Sequence, residues 1–163
     1  MNDDDFGAYV AARWPRLVRA AVLLGCTPHE AEDVVQTALT RCLVKWSKVQ
    51  RADDRDAYVH RILVNTFIDA RRRMWRREVP SEQLPEGAAP DTATATVEAV
   101  GLDRALAALG ADQRIAIVLR YYLDLSEAQM ASVLGVAPGT VKSRVSRALA
   151  ALGADPNLST QEI

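Results

Sequence analysis

Apolar residues recur every three to four positions through most of the chain, and residues 112–152 show the pattern most plainly. Ile115, Val118, Leu119 and Tyr122 fall at i, i+3, i+4 and i+7, the stripe of an amphipathic helix. Ser126 then precedes Gln129 by three residues, a capping-box spacing that predicts the start of a second helix. That helix carries Met130, Ala131 and Leu134 and ends near Gly135. A further helix from Pro138 sets Val141, Val145, Ala148 and Leu149 on one side. Together these predict a helix-turn-helix, in which Ala131 permits a close crossing, Gly135 takes the positive φ of a helix end, and Val136 fills the corner. Burying Val141 and Val145 turns Lys142, Ser143, Ser146 and Arg147 outward, a narrow basic and hydroxyl stripe suited to a DNA major groove. An ordinary αα-hairpin with a basic outer face would show the same pattern.

Three helices are predicted upstream. Residues 4–24 carry Phe6, Val10, Trp14, Leu17, Val18, Ala21 and Leu24, with Pro15 inside, which predicts a kink or short break around residues 11–14. Thr27, Pro28 and Glu30 fit the N-cap, the first helical position and the capping-box partner of a second helix reaching about residue 46. Its core side is Ala31, Val34, Val35, Ala38, Leu39, Cys42, Leu43 and Trp46, leaving Asp33, Gln36, Thr37, Thr40 and Arg41 as a polar face of the kind that is usually only solvated. A third helix over 56–73 buries Val59, Ile62, Leu63, Thr66, Phe67 and Ala70 and presents Tyr58, Arg61, Asn65, Asp69 and Arg72. The run 71–77 then holds five arginines and no acid, namely Arg71, Arg72, Arg73, Arg76 and Arg77. Such a run suits phosphate, and Tyr58 or Trp75 offers a ring to an unpaired base. A cationic helix C-terminus favoured by the macrodipole accounts for one or two of these arginines.

No stretch alternates with period two, so strands are not expected and the fold class is all-α. Residues 78–98 interrupt the helical pattern with five acids, no Lys or Arg, and a concentration of Pro, Ala and Thr with almost no large apolar residues. They read as a flexible acidic linker. The formal net charge of −1 therefore hides a basic first part, since residues 1–77 hold 14 Lys/Arg against 10 Asp/Glu. Two small helical domains follow, 1–77 and 99–152, with a polar tail at 153–163. The acidic start lacks the basic-then-apolar pattern of a secretory signal and no apolar run approaches the ~20 residues of a membrane span, so a cytoplasmic location without membrane insertion is expected. Cys26, Cys42, His29 and His60 fit neither a disulfide framework nor zinc spacing. With no nucleophile and base at catalytic spacing and no glycine-rich phosphate loop, no cofactor, metal or catalytic residue is expected.

Three segments carry a family resemblance: VVQTAL at 34–39, YVHRILVNTFIDARRR at 58–73, and LRYYLDLSEAQMASVLGVAPGTVKSR at 119–144. In this order and with this linker they resemble the extracytoplasmic-function (ECF) sigma factors of bacterial RNA polymerase, in particular the actinobacterial SigE type. The resemblance implies that the first domain is sigma region 2, docking Asp33, Gln36, Thr37, Thr40 and Arg41 on the coiled coil of the polymerase β′ clamp. It implies that the third helix and the loop at 51–56 capture the melted minus-ten element, with Asn65 at the base-contacting position, Tyr58, Arg61 and Asp69 on the same DNA-binding surface, and Arg71, Arg72 and Arg73 along the phosphates. The last domain then corresponds to region 4, which binds the β flap and reads the double-stranded minus-thirty-five element with Lys142, Ser143, Arg144, Ser146 and Arg147. An anti-sigma factor is a further partner that the family implies. A sigma-like decoy for an anti-sigma factor, or a simple helix-turn-helix regulator, is the alternative. A decoy has no need of the arginine run, and a simple regulator has no need of the clamp-facing helix.

Overall fold

The computed structural model describes residues 3–77 and 97–153, with side chains in the second stretch from residue 101. Most of the predicted linker and tail lies outside the described residues. Every regular element among those described is helical: α1 Asp3–Leu24, α2 Pro28–Val44, α3 Trp46–Arg51, α4 Arg55–Arg77, α5 Val97–Ala108, α6 Ala111–Ile117, a π-helical turn Val118–Tyr122, α7 Glu127–Leu134 and α8 Pro138–Gly153. They fall into two compact units, one built on α1 to α4 and the other on α5 to α8.

In the first unit α2 and α4 pack along each other, with α3 against α4. Leu17 of α1 is fully buried in this unit, together with Val35, Val49, Val59, Leu63 and Val64 of α2, α3 and α4. The capping box at the start of α2 forms as the spacing predicts: Glu30 N–H donates to Thr27 Oγ1 at 3.3 Å and Thr27 N–H donates to a Glu30 carboxylate oxygen at 2.8 Å. α1 runs unbroken through Pro15, correcting the expected break. The ring removes one backbone bond, but the helix continues on both sides and is held to the bundle by packing. Phe6 and Tyr9 of α1 lie against the buried Trp46 ring, at centroid distances of 5.1 and 5.5 Å, and the Arg55 guanidinium lies 5.5 Å from the same ring.

Tyr9 also donates its hydroxyl to Asp56 at 2.8 Å, and Arg13 donates to the same carboxylate at 3.1 Å. Partial burial raises the proton affinity of Asp56, but the hydrogen bonds from Arg13 and Tyr9 outweigh it and leave the carboxyl below its usual value. For Tyr9, burial and then the bond to Asp56 both favour the neutral phenol.

In the second unit α6 and α7 pack on α8, around Leu119, Leu123, Leu125, Met130 and Val141. Where the sequence predicts one regular helix, the last turn after Ile117 widens, with Leu123 N–H reaching back five residues to the Val118 carbonyl at 3.0 Å. The extra residue in that turn sets Tyr121 outward while Leu119 and Leu123 stay buried. Asp124 adopts φ +54° immediately afterwards, a conformation that Asp tolerates better than most residues. The Ser126–Gln129 capping box forms in both directions, and Gly135 ends α7 in the left-handed region at φ +66°.

Candidate nucleic-acid interface

α8 presents the basic stripe because one side of it is committed to the core. Val141, Ala148 and Leu152 are buried, and Lys142, Ser143, Ser146 and Arg147 are exposed on the other side. Ser143 returns its hydroxyl to the Gly139 carbonyl at 3.0 Å, and Lys142 Nζ lies 3.8 Å from Glu127 at the start of α7. Arg147 has no ion pair among the described residues. Arg144 is placed differently from the other four. Its side chain is 25% exposed and lies 3.7 Å from Asp112 of α6. It stands three residues after Val141 and four before Ala148, on the shoulder of the buried face. A groove of about 630 Å³ opens there, lined by Asp112, Gln113, Thr140, Ser143, Arg144 and Arg147 among others.

On α4, Val59, Leu63, Val64, Thr66 and Phe67 turn inward, which leaves Arg61, Asn65 and everything from Arg71 to Arg77 exposed. Asp54 caps the helix by accepting the Ala57 N–H at 2.9 Å. Tyr58 is half-buried, with the Arg61 guanidinium 5.7 Å from its ring centroid. The Asn65 amide has no hydrogen-bond partner among the described residues, so its two donors and its acceptor are open to a ligand. Arg71 lies over the Phe67 ring at 5.5 Å, and Arg73 reaches back to the Asp69 carbonyl at 3.5 Å. Arg72 is without a side-chain partner among the described residues.

The polar face of α2 is exposed at Asp33, Gln36, Thr37 and Thr40. Arg41 is not simply solvated: its Nη1 donates to Asp69 at 3.0 Å and to Thr66 Oγ1 at 3.2 Å on α4. The structure thus brings together two residues that the sequence assigned to separate surfaces. Val44, passed over in the sequence reading, is 82% exposed. It continues the line of Asp33, Thr37 and Thr40 by one more helical turn, and that spacing was the available signal.

No helix among the described residues is long and apolar enough to cross a membrane. Residues 10–77 match the family described as Sigma-70 region 2, and residues 100–152 match Sigma-70, region 4. The chain is 37% identical over 148 residues to the RNA polymerase sigma-E factor of Streptomyces coelicolor, spanning 91% of this chain and 84% of that one. It is 34% identical to the ECF RNA polymerase sigma factor SigL of Mycobacterium tuberculosis, over 97% of this chain and 88% of the relative. The fold is similar to that of the sigma factor RpoE from Bartonella quintana, solved in complex with the anti-sigma factor NepR, with a TM-score of 0.74 and 31% identity over 91% of this chain and 94% of that one. With both sigma-70 regions present in order and relatives matched along most of their length, the chain belongs to the ECF sigma factors of RNA polymerase.

Proposed function

We propose that this protein binds core RNA polymerase and directs it to specific promoters, melting and holding the minus-ten element with the first unit and reading the minus-thirty-five element with α8. One observation carries the reading: a single chain pairs a helix-turn-helix with an exposed basic stripe and a helix that sets an unpartnered Asn65 above an acid-free arginine run.

Each surface has a part. Lys142, Ser143, Ser146 and Arg147 face base edges in the major groove, while Arg144, lodged in the groove beside Asp112, serves the phosphates flanking it. Asn65 offers hydrogen bonds to an extruded base beside Tyr58 and Arg61, and Arg71, Arg72 and Arg73 follow the strand. Asp33, Gln36, Thr37 and Thr40 dock on the polymerase β′ clamp with Val44 as an apolar anchor, and Arg41 and Asp69 hold that face and the DNA helix in register. The second unit also engages the β flap. The protein makes and breaks no bond itself, so catalysis stays with the polymerase. An anti-sigma protein covering these surfaces is a further partner.

The test is transcription by core polymerase on genomic DNA with and without the protein. New start sites sharing upstream sequences at two fixed spacings are expected. An unchanged transcript set would overturn the reading.

A further inference from the structure

The C-terminal end of α4 carries a feature that the base contact proposed at Asn65 does not use. Trp75 is 82% exposed and Met74 is 45% exposed, whereas Trp46 is buried and Trp14 half-buried. No ring or cation from the described residues engages Trp75. A tryptophan left open on a helix surface presents a large apolar face that gains by being covered. What covers it is set by charge. Arg71 and Arg72 stand one turn before it on the same face, Arg76 and Arg77 follow it, and the run 71–77 has no acid. The partner is a polyanion that also presents flat apolar faces. Nucleic acid meets both conditions, and it does so only where a base is out of the duplex.

We propose that Trp75 is a stacking platform for an unpaired base of the promoter strand, with Arg71, Arg72 and Arg76 on the adjoining phosphates. The proposal rests on the sigma-factor reading and extends the single-strand track beyond the Asn65 contact. Trp75 lies ten residues after Asn65, on the order of 15 Å along the helix, or roughly four nucleotides at the 3.4 Å spacing of a stacked strand. Arg72 and Arg76 fall on the same line of the helix as Asn65, so the phosphates run along that line and the base turns aside onto Trp75.

The test uses the full chain assembled with core polymerase and a set of pre-melted promoter fragments, each lacking one base of the open strand. On the intact strand Trp75→Ala should weaken binding by roughly 5- to 150-fold, the range expected for the loss of one stacked base, and Trp75→Phe should recover part of the loss. At one position, about four nucleotides from the Asn65 base, removing the base should cost the native protein a similar factor and cost Trp75→Ala nothing more. Losses that multiply at every position, or a Trp75→Ala protein that binds all fragments normally, would overturn the proposal. So would a Trp75→Ala protein that loses only the binding of an acidic protein partner. Promoter-specific transcription by the native holoenzyme is measured in the same series. If it occurs while Trp75 remains uncoupled from any base, the stacking site fails and the sigma-factor reading stands; if it does not occur, the reading itself fails.

Discussion

Arg41 on α2 and Asp69 on α4 hold each other at 3.0 Å, with Thr66 accepting a second bond from the same guanidinium nitrogen. The pair joins the face proposed to meet polymerase to the helix proposed to hold DNA, so a shift of one helix is felt by the other. Both side chains are partly exposed, at 40% and 47%, which limits their mutual stabilisation to about 0.5–1 kcal/mol. A double-mutant cycle of Arg41→Ala and Asp69→Ala, read by urea unfolding, should return a coupling of that size. Each single variant should also impair promoter opening more than closed-complex binding. Strictly additive unfolding energies would mean that the pair fixes nothing.

Asp33 and Val44 share the outer line of α2 without touching the core, which separates docking from folding. Asp33→Arg together with Val44→Asp should weaken holoenzyme formation while leaving unfolding within about 0.5 kcal/mol of the native chain, as expected at exposed positions. Unchanged capture of core polymerase by the double variant would place the docking face elsewhere.

The Asp56 carboxylate ties α4 to Tyr9 and Arg13 of α1, and its lowered proton affinity makes that tie dependent on pH. A carboxyl with a folded value below its unfolded one contributes stability above the unfolded value of about 3.9, and the contribution is lost as pH falls through the folded value. Because the side chain is 39% exposed, the gain is discounted to about 1 kcal/mol. Asp56→Asn should therefore be less stable than the native protein at neutral pH, and the gap should close as acid protonates the native carboxyl, at a pH below its unfolded value. A constant gap across that range would show that charge is not the source of the difference.

How much of this was legible in the sequence follows from the range of the interactions. The capping boxes at Thr27 and Ser126 and the left-handed end at Gly135 are local, and each formed where its spacing placed it. The exposed line of Lys142, Ser143, Ser146 and Arg147 follows from periodicity once Val141 is inside. The π turn at Val118 was hidden because it preserves the apolar residues of a regular helix and alters only which carbonyl is reached. The short α3 was hidden as well, having only Trp46 and Val49 to mark its inner side. Arg41 looked solvated because its partner Asp69 lies 28 residues away, and a pattern along one helix carries no information about a neighbour that only packing brings near. Arg144 joins the minus-thirty-five set only through the family resemblance, and its distance from Val141 and Ala148 already sets it on the shoulder of the stripe.

The two DNA surfaces should respond differently to loss of charge. Replacing exposed Lys142 or Arg147 with Ala should cost roughly 1–3 kcal/mol at promoters where a base contact is lost and relax selectivity at one or two positions. Glu127 competes for Lys142 at 3.8 Å in the free protein, so the larger effect is expected at Arg147. Arg72→Ala and Arg73→Ala should instead weaken binding similarly across sequences and shallow its salt dependence by up to about one unit of slope per contact. Sequence-selective losses from the α4 arginines would reverse this assignment.

Asn65 is the sharpest case, because its side chain is exposed and makes no hydrogen bond among the described residues. Nothing in the fold depends on it, so Asn65→Ala should unfold within about 0.5 kcal/mol of the native chain. If its amide holds an extruded base, the variant should still form closed complexes through α8 yet fail to open the promoter, a defect visible as lost permanganate reactivity of the melted strand. Pre-melted templates should restore part of the activity, since the cost of unpairing no longer falls on the lost contact. Normal opening by Asn65→Ala would move the base pocket to another residue of α4, and a defect equally large on pre-melted and duplex templates would assign Asn65 to strand binding rather than to opening.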